Sequence, residues 1–146
     1  DRVVNAVAAY DRFKTSVIVV DFGTAVTLDY ITPDGRYAGG VIAPGVNSSA
    51  DALHEKTAKL PKVKAARPSS VIGKNTVAAM KSGLYWGFAG LVDGVLDRML
   101  AEIKSTPEII ATGGDAALIA GGSRFIKEID ELLTLKGLKI LCERKR

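Results

Sequence analysis

Three apolar runs separated by two short bends, all within residues 16–42, limit the folds open to this sequence more than any other feature. They read Ser16-Val-Ile-Val-Val-Asp21, Ala25-Val-Thr-Leu-Asp-Tyr-Ile31 and Tyr37-Ala-Gly-Gly-Val-Ile42. Valine, isoleucine and tyrosine dominate the runs and Thr32-Pro33-Asp34-Gly35 punctuates the second bend, which is the pattern of strands folded back on one another. Strands are therefore expected at about residues 16–21, 26–31 and 36–42. The first bend, Asp21-Phe22-Gly23-Thr24, combines a carboxylate, a glycine and a hydroxyl. Gly23 lets backbone amides approach an anion closely, Thr24 adds a donor, and Asp21 at the end of a buried strand can hold a cation. Binding the phosphates of a nucleotide needs that combination. Read without context, the same residues also make an ordinary tight turn.

Along the rest of the chain, Val3, Ala6, Val7, Tyr10 and Phe13 recur at helical spacing, so residues 1–13 read as a helix with Asp1 at its positive end. A second helix is expected over 46–59, then a loop over 60–70 that holds Pro61, Pro68 and the basic Lys62, Lys64 and Arg67. A long helix is expected over 77–104, capped by Asn75 or Thr76. Met80, Leu84, Phe88 and Leu91 lie on one side of it, and Gly83, Gly87, Gly90 and Gly94 lie on another. Each glycine weakens an isolated helix by ~1 kcal/mol, so close packing of that face against another helix is expected to compensate. Tyr85 and Trp86 beside it would then join a subunit contact or the core. A strand over 108–112 leads into Gly113-Gly114 and a short helix over 115–120, a second place where amides can meet a nucleotide. The chain is expected to end with an amphipathic segment over 125–133 and a strand over 138–142 that buries Cys142.

Several chemistries are excluded. Asp21-Phe22-Gly23 is not the magnesium-binding tripeptide of protein kinases, because no His-Arg-Asp loop precedes it and no Val-Ala-Ile-Lys strand is present. Gly73-Lys74-Asn75-Thr76 is not a Walker loop, which needs the lysine joined directly to Ser or Thr and an earlier glycine. His54 is the sole histidine and Cys142 the sole cysteine, so neither a zinc site nor an internal disulfide is expected. The net charge of +4 is spread along the chain, and the terminal Glu143-Arg-Lys-Arg146 reads as a solvated tail rather than a nucleic-acid contact. No apolar run is long enough to span a bilayer, so no membrane partner and a cytoplasmic location are expected. The start at Asp1, apparently inside a helix, suggests a piece of a longer chain.

Taken together and in order, the motifs resemble one family. Asp1-Arg2, Val19-Val-Asp-Phe-Gly-Thr-Ala25 with Thr27 and Asp29, Gly39-Gly-Val-Ile-Ala-Pro-Gly45, Thr57-Ala-Lys-Leu-Pro61, Ile72-Gly-Lys-Asn-Thr76 with Ser82-Gly83, and Ala111-Thr-Gly-Gly114 are similar to the carboxyl-terminal half of a type III pantothenate kinase. The resemblance implies an α/β, actin-like and ribonuclease-H-like domain: a three-stranded antiparallel meander, then alternating helices and strands. Residues 1–146 would form the second domain of a two-domain kinase, with the amino-terminal domain and its Asp-x-Gly-Asn-Thr phosphate loop absent. The implied activity is ATP-dependent phosphorylation of pantothenate, the entry to coenzyme A.

The resemblance also assigns roles. Asp1 matches the proton acceptor, although the glycine expected before it is missing, and Arg2 and Thr76 match pantothenate contacts. Gly23 and Thr24 match the ATP phosphate loop, and Asp21 matches the ligand of a monovalent cation, potassium or ammonium, with magnesium arriving on ATP. Gly113 and Gly114 would lie near the nucleoside. A homodimer is implied, with Thr76 reaching a neighbouring subunit's site. Half a clamp forfeits much of the positioning this reaction depends on, so the isolated chain is expected to be weak or inactive. The alternative is a non-catalytic nucleotide-binding or transcriptional accessory protein of the same fold, a label the family has also carried. A third reading is a structural dimerisation domain, suggested only by the glycine face.

Overall fold

The three apolar runs form the strands expected of them and become the centre of a larger mixed sheet. The structure, a computed structural model, describes residues 2–145. Its elements run α1 (Arg2–Phe13), β1 (Val17–Phe22), β2 (Ala25–Ile31), β3 (Tyr37–Pro44), α2 (Val46–Lys56), α3 (Thr76–Glu102), β4 (Glu108–Thr112), α4 (Ala116–Ala120), β5 (Glu128–Ile129) and α5 (Leu133–Arg144). The strand order is β3-β2-β1-β4-β5. β2 lies antiparallel to both β1 and β3, whereas β4 runs parallel to β1 and β5 parallel to β4. This is the antiparallel meander, then alternating helices and strands, expected above, with the later strands parallel.

Alternation along β1 sorts its side chains into two layers. Ile18, Val20 and Phe22 join Leu28, Leu84, Phe88, Val92 and Leu96 in a core beneath α2, α3 and α4. Val17 and Val19 join Ala6, Ala9, Ile31 and Leu133 on the other face, beneath α1 and α5. β1 is thus buried on both sides, which explains why its run is continuously apolar rather than alternating.

The end of the chain departs from expectation. Residues 138–142 are helix rather than strand, and Cys142 is exposed instead of buried. The local run is apolar enough for a strand, but α5 begins earlier, at Leu133, and docks on α1 through Gly137. A Cβ on Gly137 would lie 2.2 Å from the Val4 carbonyl oxygen, so glycine allows the two helices to touch backbone to side. Residues 125–133 carry the two-residue strand β5 and a turn in place of an extended amphipathic segment. α2 ends at Lys56, three residues short of expectation, and Thr57 Oγ1 donates to the Leu53 carbonyl at 2.5 Å.

In α3 the alternative left open for Tyr85 is decided. Tyr85 is fully buried, and its hydroxyl accepts a hydrogen bond from Arg67 Nη1 at 3.0 Å, so it belongs to the core and not to a subunit contact. Among the described residues the glycine face meets no second helix closely: nothing lies within 4 Å of where a Cβ would stand on Gly83, Gly87 or Gly90. The loop expected over 60–70 is irregular but tied down, with Ala65 in the core and Arg67 donating to the Gly121 carbonyl at 3.2 Å.

Asp130 anchors the chain's last turn before α5. Its carboxylate accepts from Lys136 Nζ at 2.6 Å and from the Leu132 amide at 3.0 Å, with Arg12 Nη1 3.7 Å away. Burial opposes its charge, but the Lys136 hydrogen bond, the Leu132 amide and the two cations outweigh burial and hold its pKa below the ordinary 3.8. Depression of the folded value means the ionised form stabilises the fold above the unfolded pKa, and that stability is lost as pH falls through the folded one. Replacing Asp130→Asn is expected to cost about 1–2 kcal/mol at pH 7. In urea titrations the deficit should close as pH falls below the ordinary carboxylate range.

Candidate nucleotide and substrate site

Parallel pairing of β1 with β4 brings two chain bends to one end of the sheet. Asp21 stands in register with Thr112, so the bends Gly23-Thr24 and Gly113-Gly114 follow side by side. Gly113 adopts φ +98°, a conformation other residues rarely hold, and a Cβ there would lie 2.7 Å from Asp21 Oδ1 and 2.5 Å from the Phe22 carbonyl oxygen. Glycine at 113 therefore keeps the space around one carboxylate oxygen open. At the first bend the Gly23 amide donates to the Ala25 carbonyl at 3.2 Å. Ser48, in the first turn of α2, donates to the Thr24 carbonyl at 3.2 Å and fixes that bend against the helix layer. A groove of about 600 Å³ between α2 and α3 opens beside it, lined by Pro44, Ser48, Leu53, Gly83 and Phe88.

Asp21 is oriented from the other layer. Asn5, a buried α1 residue, donates through Nδ2 to Asp21 Oδ2 at 3.0 Å. Its own Oδ1 accepts from Thr134 Oγ1 of α5 at 2.6 Å. One carboxylate oxygen is thus pinned, and the other faces the glycine bends. Burial raises the Asp21 pKa above its ordinary value, and the Asn5 hydrogen bond offsets this only in part. No sequence signal singles out Asn5, because a buried asparagine at helical spacing looks like any interior helix position.

Arg2 opens α1 one turn before Asn5. Its Nε and Nη2 contact Asp29 of β2 at 3.0 and 2.7 Å, so the fork that resemblance offers to a substrate oxygen is occupied by a carboxylate. Asp21, Thr27 and Asp29 share the sheet face beneath α1, as the register Asp21↔Thr27 and Val19↔Asp29 requires. Asp1 lies outside the described residues; Arg2 and Asn5 of α1 both reach this face. Thr76 is not brought to it. It opens α3 on the opposite layer, exposed, while Asn75 takes the cap by accepting from the Ala78 amide at 2.9 Å. Among the described residues no group of three or more His, Cys, Asp or Glu is placed to hold a metal ion. No helix among them is long and apolar enough to cross a membrane.

A mixed sheet with two glycine bends meeting at the carboxyl ends of its central parallel strands defines an α/β domain of actin-like fold. Solved structures agree on the fold. A Baf family transcriptional activator from Campylobacter jejuni superposes with a TM-score of 0.66 at 21% identity, covering 97% of this chain and 64% of that one. An activator of 2-hydroxyisocaproyl-CoA dehydratase from Clostridium difficile gives 0.55 at 11% identity, over 97% of this chain and 66% of that one. The sequence narrows the class to a family. The profile described as Type III pantothenate kinase matches residues 1–98, and the chain belongs to that family. It is 56% identical over all 146 residues to a type III pantothenate kinase of Anaeromyxobacter sp. (strain K), and spans 58% of that protein. Against the enzyme of that name from Geobacter sulfurreducens it is 53% identical over its whole length, spanning 57% of the relative.

The raised Asp21 pKa makes a prediction about the ligand-free fold. The native state holds this proton more tightly than the unfolded state, so stability falls as pH climbs from the ordinary value through the raised one. Asp21→Asn, which keeps an acceptor for Asn5, is expected to raise the melting temperature at neutral pH. The gain should vanish under acid conditions where the native carboxyl is already protonated.

Proposed function

We propose that this chain is the second domain of a two-domain, actin-like kinase that transfers the γ-phosphoryl group of ATP to a pantothenate hydroxyl, the first step toward coenzyme A. The observation that carries the reading is the position of Asp21, between two glycine bends and held through Asn5 by the helix that begins at Arg2. In this reading Gly23 and Thr24 contact the ATP phosphates, and Gly113 and Gly114 lie near the nucleoside. Asp1 accepts the proton of the attacking hydroxyl, and Arg2 contacts pantothenate.

Asp21 is the proposed ligand of a monovalent cation, potassium or ammonium. The donor set suits that role, since one free carboxylate oxygen beside backbone carbonyls makes a weak, singly charged site and not a cage for a divalent ion. When bound, such a cation supplies positive charge near the phosphates. Magnesium would arrive on ATP. The proposed assembly is a cytoplasmic homodimer. It is supported by the open glycine face of α3 and by the half-exposed Trp86, whose buried indole nitrogen lacks a partner among the described residues. In the dimer, Thr76 serves the neighbouring subunit's pantothenate site, which accounts for its distance in the fold from Arg2.

Three measurements test this. Full-length protein is expected to consume ATP only when pantothenate is present, and the 146-residue chain should be slower by at least ~100-fold, because half the phosphate clamp is missing. Pantothenate-independent hydrolysis in the full-length protein would instead favour a nucleotide-binding accessory role. Asp1→Asn in the full-length protein should lower turnover by about 10²–10⁴-fold with ATP affinity unchanged, as loss of a general base does. Potassium should tighten ATP binding in the wild type and leave it unmoved in Asp21→Asn, because the linkage is reciprocal and runs through that carboxylate.

A further inference from the structure

We propose that Asp29 is a positioning residue: with Tyr37 it holds the Arg2 guanidinium so that only the Nη1 amino group addresses the substrate. The inference rests on the reading of Arg2 as a pantothenate contact and deepens it.

The observations interlock. Asp29 is almost completely buried, and its carboxylate takes Arg2 Nε at 3.0 Å on Oδ1 and 3.2 Å on Oδ2, with Nη2 at 2.7 Å. The Tyr37 hydroxyl donates to the same Asp29 oxygen and accepts from Arg2 Nη2. The guanidinium also lies 5.7 Å from the centre of the Tyr37 ring, within cation–π reach. These contacts employ Nε and Nη2 fully, and Nη1 has no partner among the described residues. The Arg2 side chain is 37% exposed against 3% for Asp29, so the pair is buried at the carboxylate and open at the cation.

The strands are shaped around this contact. β2 and β3 pair Tyr30 with Gly39 but Ile31 with Tyr37, so Ala38 is an extra residue. Because side chains alternate faces, one extra residue moves Tyr37 onto the face that carries Ile31 and Asp29. Gly39 at φ +110° makes the bulge. At Gly40, directly opposite Asp29, a Cβ would lie 2.5 Å from Asp29 Oδ1 and 2.2 Å from the Leu28 carbonyl. Two adjacent glycines inside a strand weaken it. Here they clear the room in which a buried carboxylate, a hydroxyl and a guanidinium meet. The result is a cation of fixed orientation that offers a substrate two N–H groups from one nitrogen rather than a two-nitrogen fork.

Two readouts on full-length protein test the proposal. In ¹⁵N-arginine-labelled protein, the Arg2 Nε–H signal, assigned by its loss in Arg2→Lys, is expected to exchange slowly. Exchange should quicken about 10-fold or more in Asp29→Asn, and less in Tyr37→Phe, as loss of a charge-assisted pair implies. Steady-state kinetics should show Asp29→Asn raising the KM for pantothenate by about 10-fold with the KM for ATP nearly unchanged. In the Arg2→Ala background Asp29→Asn should add no further loss, since the carboxylate acts through the arginine. Fast exchange in the wild type, or additive losses in the double variant, overturns the proposal. If Asp29→Asn does not fold, Tyr37→Phe decides: a rise in both exchange and pantothenate KM supports the proposal, and no change in either overturns it. Wild-type protein that does not phosphorylate pantothenate refutes the proposed function instead, and the exchange measurement still decides whether Asp29 holds Arg2.

Discussion

A strand buried on both faces cannot keep a charge along its length, but it can carry one at its end. β1 does this. Val17 to Val20 lie between two helical layers, and the sheet's edge at Asp21 is the first place where a carboxylate meets open space. Even there burial disfavours its charge, and a single amide from Asn5 is the described hydrogen bond that opposes this. A half-buried acid with one oxygen pinned and one aimed at glycine bends is poised to gain from a cation. The parallel partner β4 supplies the second bend, and without that pairing Gly113 would have no reason to approach Asp21.

α1 connects this carboxylate to the second polar cluster. Two of its residues one turn apart, Arg2 and Asn5, reach Asp29 and Asp21, which lie on neighbouring strands. The helix is in turn seated by α5 through Gly137 and through the Thr134–Asn5 hydrogen bond. A change in how α5 docks would therefore be felt at both acids. The opposite layer behaves differently. α3 buries Leu84, Tyr85, Phe88 and Leu96 against the sheet and leaves Gly83, Gly87 and Gly90 uncovered by the described residues.

Much of this was legible in the residues. The meander was readable because β-branched runs and a Pro-Asp-Gly turn leave few alternatives over 16–42. The two bends were readable because glycines follow an apolar run at Gly23 and at Gly113. The last helix was not readable: an apolar run of five residues does not distinguish strand from helix, and its docking depends on Gly137 meeting Val4 across more than 130 positions. Tyr85 illustrates the same limit. An aromatic beside a glycine face suits an interface and a core equally until the sheet is placed beneath it.

By itself the sequence determined the three strands of the meander, the strand over 108–112, the bends beside them, and which family the chain belongs to. Those properties reside in neighbouring residues and ordered motifs. Tertiary structure alone decided that Asn5 holds Asp21, that Asp29 occupies the fork of Arg2, and that Thr76 stands on another layer. Each depends on hydrogen-bond geometry between elements distant in sequence. Only the folded sheet, with its parallel β1–β4 pairing and its bulge at Ala38, fixes the distances at which those side chains meet.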